Sequence, residues 1–163
     1  MKNIIIVLFV LIVIAAGSCT KGGKPDGVNG NMYAVTSSAT SKQLVPAIDT
    51  TATAAFSGLY DETTNILTYT ITWSDLWLDT KKDTVTSIIF YGPATAGVNG
   101  AVVRTLSFVS TNKAGSANLG LAGNTSLSDP EKTDFMSGAW YFTINTKRYT
   151  TGIVRGQLTL SQK

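Results

Sequence analysis

Apolar and polar residues alternate along most of the chain after residue 44. In Ile66–Trp73, Leu67, Tyr69, Ile71 and Trp73 share one face, and Thr68, Thr70 and Thr72 share the other. That period of two predicts a half-buried antiparallel strand. Thr51–Tyr60 alternates in part, with Ala52, Ala54 and Phe56 on one side, and the polar run Asp61–Asn65 joins the two segments as a hairpin turn. Further strands are predicted at Thr84–Gly92, Ala101–Val109, Ala139–Thr146 and Gly152–Ser161, with short ones at Ser116–Gly123 and at Met32–Val35. Trp140, Phe142 and Ile144 face one way, as do Val154, Leu158 and Leu160 in the last strand.

Leu127–Gly138 predicts a single helix. Ser128 and Glu131 fit a capping box, Pro130 fits the first turn, and Gly138 fits the stop. Many short strands, Gly-rich connections and one helix point to an all-β domain, a sandwich or a Greek-key barrel. No repeat at solenoid or propeller spacing is visible.

The amino-terminal pattern is of another kind. Lys2 is followed by an unbroken apolar run, Ile4–Ile14, and then by small residues up to Cys19. A positive start, an apolar centre and a small-residue end make a secretory leader. The run is shorter than the ~20 residues that cross a bilayer. Ala16-Gly17-Ser18-Cys19 resembles a bacterial lipobox, in which the cysteine receives a diacylglyceryl group and becomes the first mature residue. Leu is usual three residues before that cysteine, and Ala16 stands there. The alternative is ordinary signal-peptidase cleavage after Ser18. The expected organisation is a leader at 1–18, a lipid-anchored tether at 19–43 and one β-domain at 44–163. Gly, Ser, Thr and Asn dominate the tether, which would span roughly 25 Å as a random coil. Membrane lipid is then a partner through Cys19. Thr20 follows the cysteine and no acidic run comes after it, so the expected address is the bacterial cell envelope, at the outer membrane and facing the periplasm.

Composition narrows the chemistry. The chain has no histidine and one cysteine. A Ser-His-Asp triad, a histidine-ligated metal site and an intrachain disulfide are therefore excluded. A net charge of +3, with Arg104, Arg148 and Arg155 far apart in sequence, makes no nucleic-acid footprint.

Three stretches in order, Ile88–Val103, Leu127–Thr146 and Thr150–Leu158, resemble the CHRD domain, a family first described in the extracellular protein chordin. Arg155-Gly156-Gln157-Leu158 is the most specific piece. The resemblance covers roughly Ile48–Leu160. It implies an immunoglobulin-like or superoxide-dismutase-like Greek-key β-sandwich and no general catalytic activity. Family histidines are replaced here by Ile89, Tyr91 and Asn145, and an acidic residue by Ile153, so no role of those groups carries over.

Candidate binding residues are few. Arg155 and Gln157, two apart on one strand face, could grip a carboxylate or a partner backbone; the plainer reading is that Arg155 holds neighbouring loops. Trp77 is the candidate surface aromatic, for a sugar ring or a protein interface, whereas the alternation places Trp73 in the core. Gly92, Gly97 and Gly100 read as a turn, because a strand rather than a helix follows them. Asp75, Asp79 and Asp83 match no calcium loop, and Lys81 and Lys82 lie among them. The expectation is a non-catalytic binding or scaffold domain for an envelope protein or glycan, without metal or cofactor. The alternative is a histidine-free hydrolase or a carboxylate-metal enzyme.

Overall fold

The computed structural model describes residues 31–76, 84–107 and 119–163. Cys19, Trp77, Asp79 and Asp83 lie outside them. The described residues are mostly strand. They form β1 (Met32–Thr40), β2 (Thr53–Asp61), β3 (Ile66–Ser74), β4 (Val85–Tyr91), β5 (Val102–Ser107), β6 (Leu119–Ser126), α1 (Asp129–Met136), β7 (Tyr141–Thr146), β8 (Val154–Gln157) and β9 (Thr159–Gln162). Among them no helix is long and apolar enough to cross a membrane.

The strands make one antiparallel sheet in the order β5-β4-β7-β8-β1-β2-β3-β6, and β9 also pairs with β1. β1 is the pivot. It pairs with β2 along its whole length, with β9 over Tyr33–Thr36, and with β8 only at Thr40–Arg155. The sheet curls there and brings β2 and β3 over β4 and β7. Phe56 meets Phe90 and Phe142, and Tyr69 meets Phe90, with ring centroids 5.9–6.2 Å apart. The alternation read from the sequence supplies this core: Phe56, Leu67, Ile71, Trp73, Trp140, Phe142, Ile144 and Val154 are all buried.

Three details differ from the sequence reading. First, the short strand expected at Met32–Val35 runs on to Thr40 as β1, within the stretch assigned to the tether. Its inward positions are Val35, Ser37 and Ala39, too small and polar to give a strong apolar signal. The packing requires them small, since an added Cβ on Gly156 would land 2.8 Å from Ala39 Cβ. Second, the last predicted strand is two strands. It breaks at Leu158, whose N–H donates to the Trp140 carbonyl before the chain passes from β7 to β1. Third, β7 is buried on both faces, because loops cover its outer side.

The helix forms where its signals stand. The Ser128 N–H and hydroxyl both donate to Glu131 Oε2, and Gly138 leaves the helix at φ 73°. Phe135 packs edge-on against Tyr60 and Trp140, which fixes α1 to the core.

Candidate functional site

β4, β7 and β8 turn Phe90, Phe142 and Val154 inward. The next residue along each strand, Tyr91, Thr143 and Arg155, therefore faces outward. The register sets Tyr91 beside Tyr141, Tyr141 beside Gln157, and Thr143 beside Arg155. Ile89 and Asn145 lie on the same outer side. Two loops roof this face. One is 41–50, organised by Ser41, whose hydroxyl donates to the Thr50 carbonyl at 2.9 Å. The other is 92–101, where the Gly97 φ of +80° makes the turn that the glycine spacing predicts.

Arg155 lies at the centre and is 2% exposed. Its guanidinium carbon stands 3.6 Å from the centroid of the Tyr141 ring. Tyr141 in turn stacks on Tyr91, at 4.9 Å and nearly parallel. Nη2 donates to the carbonyls of Val98 at 2.6 Å and Thr95 at 3.3 Å, and Nη1 donates to Asn99 Oδ1 at 3.3 Å. Asn99 Nδ2 then donates to the Val45 carbonyl, which ties the two loops together. Gln157 Nε2 donates to the carbonyls of Ala94 and Gly138, both at 2.9 Å. The two residues share a face, and their bonds hold the 92–101 loop.

The site is nevertheless open. A cavity of about 420 Å³ lies between the roof and the sheet. Leu44, Val45, Pro46 and Ile48 wall one side; Tyr91, Tyr141, Thr143 and Arg155 form the floor. A second cavity of about 320 Å³ adjoins it and shares Leu44, Val45 and Arg155; Gln157 lines it too. Gln157 Oε1 is buried and has no hydrogen-bond partner among the described residues. Among the described residues no carboxylate lines either cavity. Burial pushes the Arg155 guanidinium below its ordinary range, and Tyr141 acts the other way. A buried cation without an anion is costly. Here carbonyl dipoles and the ring face take the place of the anion.

Among the described residues no three His, Cys, Asp or Glu side chains group to hold a metal ion. The site combines aromatic faces, a planar cation and apolar walls. This is chemistry that grips a ligand.

The family model for the CHRD domain matches residues 35–158. The chain belongs to the CHRD domain family. No curated protein and no solved structure matches it significantly. The match runs from β1 through β8, so the roofed outer face lies wholly within the CHRD domain. The closing motif of the domain acquires a physical reading. Arg155 and Gln157 hold the covering loop, Leu158 fills the core, and Gly156 lets β1 pass close above β8.

The sequence placed a turn at Gly92–Gly100 and a loop-holding role on Arg155, but not the outward Tyr91 or the 41–50 loop that completes the roof. Tyr91 follows the inward Phe90 directly, a local signal that would have placed it outward beside Tyr141. No local signal says that the 92–101 loop would fold over this face, since the backbone carbonyls it offers lie 57 to 63 residues from Arg155 and Gln157.

Proposed function

We propose that this CHRD domain is a lipid-anchored, extracytoplasmic binding or scaffold domain that makes its contacts through the roofed outer face of β4, β7 and β8. The observation that carries this reading is the solvent-open cavity over the Tyr91–Tyr141–Arg155 stack. The amino-terminal pattern ending at Cys19 supports an anchor at the outer membrane, facing the periplasm. The alternation and the two facing layers support an immunoglobulin-like or superoxide-dismutase-like Greek-key sandwich as the finer description of the fold. Trp77, three residues beyond the end of β3 in the sequence, is proposed as a further contact residue.

In-cell photocrosslinking tests the contact surface. A photoreactive residue replaces Thr151, an exposed residue of the cavity rim, in the full chain. A second chain carries it at Thr68, exposed on β3. The expected result is an adduct, protein or glycan, at 151 and not at 68. Equal labelling at both positions, or none at either, would overturn the reading.

A further inference from the structure

Among the described residues no carboxylate meets the charge of Arg155, which only carbonyl dipoles, an amide oxygen and the Tyr141 face offset. Three hydrogen bonds leave the guanidinium, which carries five N–H donors in a planar fork. Two donors therefore lack a protein acceptor among the described residues. Every acceptor it does have is neutral, and none of the described ion pairs includes it. The contrast within the molecule is direct: Arg104, on β5, grips Glu131 through Nε and Nη2. The fork of Arg155 instead lines two cavities to which the described residues contribute no acid.

We infer that the cavity takes an organic carboxylate whose body is apolar or a ring, with the carboxylate on Arg155 and the body against Leu44, Pro46 and Ile48. This inference rests on the proposed binding role and names its ligand class. Charge selects the anion, since a desolvated guanidinium binds a carboxylate by strong charge-assisted bonds. Shape selects the body, since about 420 Å³ lies within the range of small-molecule pockets. The Tyr141 face already occupied by Arg155 keeps the fork oriented, which lowers the ordering cost of binding. The unpartnered Gln157 Oε1 offers an acceptor for a ligand hydroxyl in the adjoining cavity. The carboxylate could belong to a free organic acid or to a uronate unit of a glycan.

The test uses the full chain in detergent micelles and two isosteric probes, benzoate and benzamide, with glucuronate as a third. Titration is followed by tyrosine and tryptophan fluorescence. Benzoate is expected to saturate, with benzamide at least tenfold weaker. Thr151→Trp, which fills the rim from an exposed position, is expected to abolish benzoate binding while the chain still melts cooperatively. Arg155→Lys keeps the charge, removes the fork and should weaken benzoate at least tenfold. Glucuronate competing with benzoate would assign the site to glycan uronates; benzoate binding alone would assign it to free acids. Equal binding of benzoate and benzamide, no saturation by either acid, or benzoate binding unchanged in Thr151→Trp would overturn the inference. The two readings fail separately. A crosslink at 151 without benzoate preference removes the carboxylate alone; benzoate preference without any crosslink removes the scaffold role alone.

Discussion

A methyl group on Gly156 would fall on Ser37 Oγ, 2.8 Å from Ala39 Cβ and 3.0 Å from the Phe142 ring. Ser37 Oγ could turn aside, but Ala39 Cβ is fixed to the backbone and the Phe142 ring is packed in the core. Gly156→Ala should therefore destabilise the fold by roughly 1–3 kcal/mol, the usual effect of overpacking, as read from urea denaturation. Gly97→Ala is the matched comparison. Its Cβ would meet nothing within 4 Å, but φ is +80°, so it should cost only the backbone term of about 1–2 kcal/mol and leave the core packing unchanged. If Gly156→Ala were neutral, the close passage of β1 over β8 would not be a constraint on the fold. At this scale the sequence was informative about pairing and about Arg155 holding loops, but not about which loops cover the face. The two-residue spacing put Arg155 and Gln157 on one face, as found. That the face would be roofed depends on loops from two distant parts of the chain. The same cover explains why Tyr141, which the alternation put on an outward face, is buried.

The elements were legible where their apolar pattern was strong. β2, β3 and their turn, β4, β5, β7 and α1 lie where the periodicity and capping residues place them. β1 was legible only in its first part, Met32–Val35, because small residues fill the inner face of the rest. The edge strands β5 and β6 hold a relation that sequence does not show. Arg104 of β5 donates to Glu131 at 2.8 and 2.6 Å and also to Thr125 Oγ1 and the Ser126 carbonyl, at the end of β6. One side chain thus clasps both edges of the curled sheet to the first turn of α1. The Arg104 bond holds the Glu131 carboxyl at about 2, below its ordinary 4.5, with Ser128 assisting and burial opposing. The folded pKa is depressed, so the clasp stabilises the fold above pH 4.5 and is lost as pH falls towards about 2. Glu131→Gln removes the titrating group. The stability difference between the native chain and this variant should be largest above pH 4.5 and should shrink as pH falls towards about 2. A difference that stays constant with pH would show that the clasp acts by packing alone. Asp49, Asp61 and Glu62 are lowered too, by Lys42, by the Thr63 N–H and by Asn31 respectively. They are present in both chains, so the comparison isolates Glu131.

For the whole molecule, the course of β1 relates the site to the anchor. The chain enters β1 at Met32 and leaves at Thr40, the residue paired with Arg155, and the roofing loop 41–50 follows. Nine residues at about 3.3 Å each carry the chain roughly 30 Å. The entry point and the cavity are therefore at opposite ends of β1. If Cys19 bears the lipid, the residues from Cys19 to Asn31 reach at most roughly 40 Å. The tether would then join the domain at the end of β1 opposite the cavity, so the anchor itself would leave the cavity uncovered. Cys19→Ala tests the anchor on which this arrangement depends. Each buried acyl CH₂ contributes about 0.8 kcal/mol, and stable attachment needs more than one chain. Loss of the thiol removes the attachment point altogether. The expected outcome is that membrane fractionation finds the native chain in the pellet. The variant should leave it, and mass spectrometry of the native mature chain should show the added acyl mass on Cys19. A variant that stays in the pellet, with no acyl mass on the native chain, would mean that the apolar leader itself holds the protein. The cavity would keep its place in the fold, but its distance from the bilayer would then be set from residue 14 rather than from residue 19.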